Sequence, residues 1–459
     1  MGVRFCLAKA AGAALTWALR NVARRPAGNA PGKVALLLDP ALIAHLRVRL
    51  SKGSIVVVGT NGKTTVANLV ADAIDASGQT VACNRSGANL DSGVATALLQ
   101  TRSAEWGVFE CDELWLSKVL PLLQADYVVL LNLFRDQLDR VGETDVVRER
   151  IAEALSASPG TTLVYTADDP QCAAVAEAVG NARIAVGVEG DLGLETFGVV
   201  DEQTCWRCGA PLTYGARQYD QLGAYRCEGC GFARPKLDFA AHDASYDATG
   251  LRFSVTAAVA WAGFAAQGGA STEISCPQPA PYLLYNLLSA FAAACLAGVP
   301  VGDFHRAVDS FNPRNGRLQR YVVDGRPVLL NLAKNPTGFN ESLRLLLADE
   351  GMKAVALFVN DKEADGRDVS WIWDVDFERL GAGIPAGMIV FAGGTRRNDL
   401  QVRLKYAGLR ARLVDDVEEV FTALGDFALP PFASLYVIAN YTALPELRLA
   451  LDALSRNGA

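Results

Sequence analysis

The sequence lacks three features that would have defined its class at once. It has no uninterrupted apolar run of the ~20 residues that a membrane-spanning helix needs, because Arg4, Lys9 and Arg20 interrupt the apolar N-terminal stretch. It is poor in histidine, with only three. It also lacks an excess of positive charge, since its net charge is −7, which argues against a general nucleic-acid binder. These absences favour a globular cytoplasmic protein. Residues 4–24 are predicted to form an amphipathic helix that packs on the following domain or contacts a membrane surface.

Alternating strand and helix patterns fill most of the 459 residues. Short β-branched runs such as residues 55–58 are followed by helical patterns, which predicts a mostly parallel sheet covered on both faces. A stretch rich in Asn, Pro and Arg at 311–321 is typical of a linker. We therefore expect two α/β domains, residues 1–314 and 315–459, of which the first contains the N-terminal helix and an irregular insertion at about 201–233.

The segment GTNGKTT at 59–65 stands between a strand pattern and a helix pattern, as a phosphate-binding loop does. The standard loop would have its first glycine at position 57, which is Val57 here. Gly59 is therefore expected to provide the first turn of the loop. Glycines let the backbone turn and aim N–H groups at phosphate oxygens, and the following helix adds a favourable dipole. We expect Lys63 to reach the β- and γ-phosphates and Thr64 to hold Mg²⁺. The alternative is a plain strand–helix turn.

Acidic residues follow the strand pattern that ends at Glu110. Ligands of parallel sheets bind at the carboxyl ends of strands, and Mg²⁺ prefers oxygen ligands, so Glu110 is predicted to contact the metal. Asp112 and Glu113 are further candidates for the same site. Each of the three acids could instead be a solvated residue at a strand end.

Four of the ten cysteines form two Cys-x-x-Cys pairs within the irregular insertion, at Cys205, Cys208, Cys227 and Cys230. This spacing is typical of a structural zinc site, and a glycine after each pair suits a tight turn. Four thiolates leave no open coordination position, so the predicted Zn²⁺ is structural. Disulfides are the alternative, and they are disfavoured in a cytosolic chain.

The phosphate loop and four further segments resemble the Mur ligase superfamily, whose ATP-dependent enzymes form amide bonds through an acyl phosphate. The four segments are LLNLFRDQLDRVGE (130–143), YLLYNLLSAFAAACLAG (282–298), NGRLQ (315–319) and NLAKNP (331–336). The resemblance implies ATP contacts at Gly59, Thr60, Asn61, Gly62, Lys63, Thr64, Thr65, Asn132, Asn286 and Arg317.

The chain departs from the superfamily pattern in two places. In the run Asp136-Gln-Leu-Asp139, Gln137 stands where the family often has a histidine linked to a second metal ion. In NLAKNP, Asn331 and Lys334 stand where most members have an acid and a histidine. These departures favour a divergent branch over an enzyme that ligates an amino acid.

The cysteine quartet and the DVSWIWD segment at 368–374 are similar to the MurT branch, the synthetase subunits of lipid II isoglutaminyl synthase. The resemblance implies a Mur-ligase-like central ATPase domain with an inserted four-cysteine zinc ribbon, followed by a Rossmann-like C-terminal domain. It implies ATP, Mg²⁺ and structural Zn²⁺ as cofactors. It also implies a GatD-like glutaminase as heterodimer partner, and lipid II as substrate at the inner face of the membrane.

The reaction implied by this resemblance is an amidation. ATP activates the α-carboxyl of D-glutamate in the lipid II stem peptide as an acyl phosphate, and ammonia converts it to D-isoglutamine. The sequence itself has no local signature of a Cys/His glutaminase, so ammonia would have to come from another chain.

The resemblance further implies that an aspartate of the C-terminal domain completes the partner's Cys–His triad, as a carboxylate that orients a histidine. Asp368 is our first choice. The alternatives are Asp365, Asp374 and Asp376. Trp371 and Trp373 would point to one side of an extended segment, as interface anchors or as core residues. The expected catalytic residues are Asp368, Glu110 and Lys63.

Two rival functions stay open at this stage. One is a stand-alone ligase that adds an amino acid to a peptide or folate-like carboxylate. The other is a nucleotide-binding scaffold protein whose zinc ribbon docks a partner.

Overall fold

The computed structural model describes residues 2–24, 27–135, 144–194, 203–247, 250–258, 271–278, 280–312, 316–383, 388–427 and 429–457. The chain forms two compact units. The first consists of Met1–Phe134, Thr144–Thr196 and Asp201–Phe311, and the second of Arg135–Glu143, Phe197–Val200 and Asn312–Ala459. The motif residues Asp136, Gln137 and Asp139 lie outside the described residues.

The first unit alternates strands and helices through most of its length. Its strands are β1 (Leu50–Val58), β2 (Val81–Cys83), β3 (Ala104–Glu110), β4 (Tyr127–Leu130), β5 (Thr162–Thr166), β6 (Arg183–Val188), β7 (Leu212–Tyr219), β8 (Leu222–Cys227), β9 (Phe239–Asp247), β10 (Gly250–Ala257) and β11 (Ser271–Cys276). Its helices are α1 (Val3–Asn21), α2 (Ala30–Leu38), α3 (Leu42–Leu46), α4 (Lys63–Ala76), α5 (Asp91–Gln100), α6 (Leu116–Leu123), α7 (Thr144–Ser156), α8 (Pro170–Ala178), α9 (Leu283–Leu296) and α10 (Val301–Asp309).

The main sheet of the first unit has the order β11-β10-β9-β6-β5-β4-β1-β3-β2. Strands β1 to β6 and β9 run parallel to one another, whereas β10, antiparallel to β9, and β11, antiparallel to β10, form the edge. The run 55–58 of β1 is fully buried, as expected for a strand with helices on both faces. The expected α/β class with a mostly parallel sheet is confirmed, and the chain segments after β1, β3 and β4 begin at the same edge of the sheet.

A separate two-stranded antiparallel sheet, β7 with β8, carries the cysteine region. The turn between the strands contains Asp220 at a positive φ of 49°. Pairing of Leu212 with Cys227 brings the second cysteine pair next to the start of β7, close to the first pair. The hairpin therefore positions two sequence-distant Cys-x-x-Cys pairs side by side.

The second unit is a smaller α/β body. Its strands are β12 (Gln319–Val323), β13 (Arg326–Leu332), β14 (Lys353–Phe358), β15 (Ile389–Gly393), β16 (Ala411–Leu413) and β17 (Ser434–Ala439). Its helices are α11 (Pro336–Ala348), α12 (Glu378–Gly383), α13 (Arg397–Tyr406), α14 (Val417–Asp426) and α15 (Leu444–Asn457). The sheet order is β12-β13-β17-β14-β15-β16, in which β12 pairs antiparallel with β13 and the other described pairs are parallel.

Apolar residues of β14 alternate between two buried clusters on the two faces of this second sheet. Val355 and Leu357 pack with residues of α11 and α13, whereas Ala354 and Ala356 pack with residues of α14 and α15. This two-residue alternation explains why a continuous apolar run forms a central strand covered by helices on both sides.

The tryptophan pair does not lie in an extended segment, and this corrects our conditional expectation. Ser370–Asp374 forms a short 3₁₀ helix instead. Trp371 packs against the core next to Phe339, with ring centroids 5.3 Å apart, whereas Trp373 is 49% exposed. The helical twist sends neighbouring tryptophans to different environments, which a strand would not do.

Among the described residues, no helix combines the length and the apolar character that crossing a bilayer takes.

Candidate active site

Two glycines shape the loop between β1 and α4. Gly59 and Gly62 have φ values of +131° and +91°, a region that other residues rarely adopt. A side chain on Gly62 would also collide with Asn286 Oδ1, and one on Gly59 would lie 3.0 Å from the backbone of Asn132. Val57 is buried inside β1, so the loop begins two residues later than in the standard pattern.

Lys63 begins α4 with its side chain buried in the loop. Its Nζ donates to the carbonyl oxygens of Gly59, at 2.5 Å, and Thr60, at 3.3 Å, and lies 2.9 Å from Glu113 Oε1. Burial lowers the pKa of the Lys63 ammonium, but the nearby carboxylates, Glu113 foremost, outweigh burial and raise the pKa overall. Lys63 is therefore a cation held at the position where a bound phosphate would need one.

Thr64 and Glu110 come together as the predicted magnesium ligands. The Thr64 hydroxyl donates to Glu110 Oε2 at 2.7 Å, and both residues are buried. Gly87 closes the other side, where a Cβ would lie 3.3 Å from Thr64 Oγ1 and 3.5 Å from Glu110 Oε2. A hydroxyl and a carboxylate in contact are the oxygen donors that Mg²⁺ prefers, so these residues fit the ion.

Asn84 fixes the backbone of Glu110. Its Oδ1 accepts from the amide of Glu110 at 2.9 Å, and its Nδ2 donates to the carbonyl oxygen of the same residue at 2.8 Å. Sequence reasoning missed Asn84 and Gly87, because the segment NRSGANL matched no motif that we considered. A polar, glycine-containing segment directly after a strand was the available signal.

Glu113 has a larger part in the site than the sequence indicated. Its Oε1 accepts from the amide of Gly59 at 3.1 Å as well as from Lys63. The carboxylate is buried and bonds two donors that a phosphate would use. Glu113 therefore bonds the same donors that we expect a phosphate to use.

Asn132 supports the loop through both ends of its amide. Its Oδ1 accepts from the amide of Asn61 at 2.8 Å, and its Nδ2 donates to the carbonyl oxygen of Asn61 at 3.1 Å. Thr60 also bonds the segment after β4. Its amide donates to the carbonyl oxygen of Asn132, and its hydroxyl bonds the backbone of Phe134. Thr65 lies half-buried in the first turn of α4. The segment after β4 thus holds the phosphate loop from one side.

Asp169 links this segment to the cysteine-bearing hairpin. Its Oδ2 accepts from the amide of Leu133 at 2.8 Å, and its Oδ1 accepts from Gln221 Nε2 at 2.7 Å. Gln221 also donates to the carbonyl oxygen of Leu133 at 3.1 Å. Burial raises the pKa of the Asp169 carboxyl to about 6, against the lowering effect of its hydrogen bonds. A raised acid pKa means that ionising Asp169 costs stability as the pH rises through about 6.

A second buried acid makes a parallel connection. Asp168 Oδ2 accepts from the hydroxyl of Tyr285, the residue before Asn286, at 2.6 Å. Its Oδ1 lies 3.2 Å from Arg234, which follows β8. The segment that follows the cysteine-bearing hairpin and the helix that carries Asn286 therefore share one buried carboxylate.

The four cysteines of the two pairs converge on one point. All four sulfur atoms lie within 4.8 Å of one another, with 3.5 Å between Cys205 and Cys230 and between Cys208 and Cys227. Tetrahedral Zn²⁺ with Zn–S bonds of about 2.3 Å places its sulfurs about 3.8 Å apart, whereas a disulfide needs about 2 Å. All four cysteines are free thiols. The donor set thus fits a structural zinc ion and excludes disulfides.

Arg317 lies in the second unit, between Gly316 and Leu318, which have positive φ values of 73° and 48°. The amide of Leu318 donates to Asn331 Oδ1 at 3.1 Å, and Asn331 Nδ2 donates to Ser342 at 2.9 Å. By the resemblance described above, Asn331 stands where most members of the superfamily have an acid. Here it uses both an acceptor and a donor, which a carboxylate cannot do, to fix the backbone beside Arg317.

The four candidate aspartates near residue 370 differ in their contacts. Asp368 is exposed, and its Oδ1 accepts from the amide of Ser370 at 2.8 Å. Hydrogen bonds from the amide and hydroxyl of Ser370 lower the pKa of the Asp368 carboxyl. Asp365 is buried and bonds both the amide and the hydroxyl of Thr442. The other two form ion pairs, Asp374 with Arg135 and Asp376 with Arg379.

Comparison with known proteins identifies both parts of the chain. The family model for the Mur ligase middle domain matches residues 57–199, and the model for the MurT ligase C-terminal domain matches residues 332–444. The MurT subunit of lipid II isoglutaminyl synthase (glutamine-hydrolyzing) from Staphylococcus aureus strain COL is 30% identical over 439 residues, 93% of this chain and 92% of the relative. The chain belongs to the MurT family.

A second relative agrees with membership of the MurT family, and a solved structure shows the same fold. The subunit of the same name from Streptococcus pneumoniae is 30% identical, over 91% of each chain. A pseudomurein peptide ligase type C from Methanothermus fervidus has the same fold, with a TM-score of 0.66 and 17% identity over 89% of this chain and 80% of that one. The predicted resemblance to the MurT family is confirmed.

Proposed function

We propose that this chain is the synthetase subunit of a lipid II isoglutaminyl synthase. It amidates the α-carboxyl of D-glutamate in the stem peptide, giving D-isoglutamine, and consumes ATP and ammonia. The observation that carries the proposal is the similarity over more than nine-tenths of the chain to MurT subunits of that name. The chain is accordingly an ATP-dependent carbon–nitrogen ligase of peptidoglycan synthesis.

The proposed chemistry has two steps. A carboxylate oxygen of the substrate attacks the γ-phosphorus of ATP, the bond to the β-phosphate oxygen breaks, and ADP leaves. Ammonia then attacks the carbonyl carbon of the acyl phosphate, and phosphate leaves with the former carboxylate oxygen while a proton is released. The protein mainly positions the reactants and neutralises charge in both steps.

Three residues of the first unit support the first step. Lys63 keeps a positive charge because of its acidic neighbours, and we assign it to the β- and γ-phosphates. Thr64 and Glu110 would hold Mg²⁺, which neutralises charge on the transferred phosphoryl group when bound. The glycines 59 and 62 and the loop residues Thr60 and Asn61 would supply backbone N–H groups, with Asn286 beside Gly62.

The cysteine quartet is proposed to hold one structural Zn²⁺. The sulfur separations fit tetrahedral coordination and leave no position for a substrate. The metal content of the purified chain tests this. One zinc per chain is expected in the unaltered protein, and a Cys208→Ser variant should hold clearly less, while Cys6→Ser, outside the quartet, should hold the same amount.

Ammonia is proposed to come from a GatD-like glutaminase subunit that binds the Rossmann-like C-terminal domain. Asp368 is the proposed third member of the partner's catalytic triad. It is exposed and favours the ionised form, as a carboxylate that orients a histidine must. Asp365, by contrast, is committed to Thr442 inside its own unit. The lipid-linked substrate places the reaction at the inner face of the membrane.

The proposal is tested with the isolated chain. It is incubated with ATP, Mg²⁺, lipid II and ammonium chloride, without a glutaminase, and the product is weighed by mass spectrometry. We expect a loss of about one mass unit, because an amide replaces an acid. A product that forms only with an added amino acid would identify a stand-alone ligase, and tight ATP binding without turnover would identify a scaffold protein.

A further inference from the structure

The N-terminal helix α1 is attached to the first unit by one face. Phe5, Ala8 and Gly12 are buried there. Phe5 packs edge-on against His45, with ring centroids 5.4 Å apart, and Gly12 faces Ala35 and Leu99 closely enough that a Cβ would be crowded. The helix therefore has a fixed orientation on the protein.

The opposite face of α1 is apolar as well, and it lies in solvent. Val3, Leu7, Ala10, Ala14 and Trp17 are all exposed, and their spacing of four, three, four and three residues puts them on one stripe of a helix. Val3, Leu7 and Trp17 are 77%, 57% and 62% exposed. A helix on the surface of a soluble domain normally turns a polar face outward, so this stripe needs a partner.

Basic residues border the stripe. Exposed Lys9 and Arg20 fall on one side of it and exposed Arg4 on the other, at 3.6 residues per turn. Eight of the first 50 residues are Lys or Arg and one is Asp, which gives a net charge of +7 in a chain whose total is −7. The positive charge is therefore concentrated around the exposed apolar stripe, and the rest of the chain is strongly acidic.

The next helix, α2, also exposes apolar side chains beside a basic residue. Val34, Leu37 and Leu38 are 37%, 77% and 41% exposed, and Lys33 beside them is exposed too. These residues precede the Mur ligase middle domain match, which begins at residue 57. The N-terminal region thus combines exposed apolar side chains, a tryptophan and excess positive charge outside the catalytic unit's family match.

We infer that the exposed face of α1 lies on the surface of an anionic lipid bilayer. An apolar stripe bordered by Lys and Arg, with a tryptophan, is the composition that inserts shallowly at the boundary between headgroups and acyl chains. The basic borders complement the anionic headgroups of such a bilayer. The inference rests on the proposed function in one respect. Binding to a bilayer would serve the enzyme because its proposed substrate is lipid-linked and lies at such a surface.

Vesicle binding tests the inference without reference to catalysis. The full chain is mixed with vesicles of phosphatidylcholine alone or with added phosphatidylglycerol, and the bound fraction is measured by sedimentation. We expect binding to the anionic vesicles that weakens with salt. A Leu7→Glu/Trp17→Glu variant should bind about tenfold or more weakly, because charged groups replace the inserted side chains. Lys9→Gln/Arg20→Gln should bind more weakly and with less dependence on salt.

Matched controls separate this effect from general damage. Leu449→Glu introduces one negative charge at an exposed apolar position of α15, 66% exposed, and should bind as the unaltered chain does. Leu7→Ser/Trp17→Ser is a milder second variant, and circular dichroism checks that each protein is folded. Equal binding by the α1 variants, or no binding by the unaltered chain, would overturn the inference.

The remaining outcomes are also decisive. If the glutaminase-containing complex no longer binds vesicles that the chain alone binds, or if the α1 variants instead break a dimer in sedimentation equilibrium, a protein covers the face and the inference is wrong. Failure of the proposed function looks different. In that case the unaltered chain binds vesicles but does not amidate lipid II dissolved in detergent.

Discussion

Two neighbouring acids in the phosphate loop region have contacts that assign them to different tasks. Glu110 touches the Thr64 hydroxyl and has its backbone clamped by Asn84, as suits a metal ligand. Glu113 instead bonds Lys63 and the Gly59 amide, the donors that a phosphate needs. These contacts assign Glu110 to the metal ion and Glu113 to the donors that would meet the phosphates.

Replacing Glu110 by glutamine should slow amidation strongly. The amide can still accept from Thr64, but the negative charge that holds Mg²⁺ is lost, and we expect a rate lower by about 100-fold or more. Glu105→Gln at the other end of β3 is the matched control, since Glu105 pairs with Lys52 away from the loop. The amidation rates of the two variants are measured with saturating ATP and Mg²⁺, and we expect only Glu110→Gln to be slow. An unimpaired Glu110→Gln enzyme would rule out Glu110 as a metal ligand.

Replacing Glu113 by glutamine should strengthen the binding of ATP in the absence of Mg²⁺. A buried carboxylate 2.9 Å from Lys63 competes with the phosphates, and its removal should tighten binding by about threefold or more. Isothermal titration in a chelating buffer measures this, again with Glu105→Gln for comparison. Weaker binding would instead mean that Glu113 mainly orients Lys63.

At the scale of elements, the β7–β8 hairpin braces the segment that supports the phosphate loop. Gln221 of this hairpin bonds the Leu133 carbonyl and Asp169, while the neighbouring residues Asn132 and Phe134 bond Asn61 and Thr60. The cysteine-bearing insertion is thus connected to the loop through consecutive hydrogen bonds.

Gln221→Met should therefore raise the KM for ATP by about 2- to 30-fold, the range of a coupling of about 0.5–2 kcal/mol. The variant removes one hydrogen-bond donor from the buried Leu133 carbonyl and one from the buried Asp169 carboxylate, which keeps its bonds from the amides of Leu133 and Gln171, and should cost about 1–3 kcal/mol of stability. Gln218→Met is the control, because Gln218 is equally buried on the same hairpin but bonds Gly190 and Leu192. If both variants change KM equally, the bracing has no specific effect on the loop.

Local motifs were readable from the sequence because each depends on backbone geometry. Gly59 and Gly62 are required by positive φ values, and two Cys-x-x-Cys-Gly turns fix their own sulfurs. Glu113, Asn84 and Gln221 were not assigned these parts, since their importance comes from residues that only folding brings near. The conditional expectation that Trp371 and Trp373 point to one side of an extended segment was wrong for a related reason. Trp371 packs on Phe339, a contact that only folding creates, and the segment is a 3₁₀ helix.

At the scale of the whole molecule, the chain combines two units with separate tasks in the proposal. The first holds the ATP loop and the cysteine quartet, and the second holds Asp368. The α/β class followed from strand and helix periodicity alone. The sheet orders did not, because they depend on which strands pair across long stretches of chain.

Asp368→Asn should separate the two activities of the complex. Amidation driven by glutamine should fall by about 100-fold or more, since the partner's histidine loses its orienting carboxylate. Amidation driven by ammonium chloride should stay within about twofold. Asp416→Asn is the control, because Asp416 is likewise exposed and accepts from a helix amide, that of Glu419, at 2.8 Å. Equal loss with both nitrogen sources would place Asp368 outside the partner's triad.

The fate of the carboxyl oxygens tests the central claim most directly. Lipid II is labelled with ¹⁸O in both oxygens of the D-glutamate α-carboxyl and amidated with ATP and ammonium chloride. The account predicts one ¹⁸O in inorganic phosphate for every amide formed, because phosphate leaves with a carboxylate oxygen. Unlabelled phosphate, or label found in AMP, would contradict an acyl phosphate made by this chain.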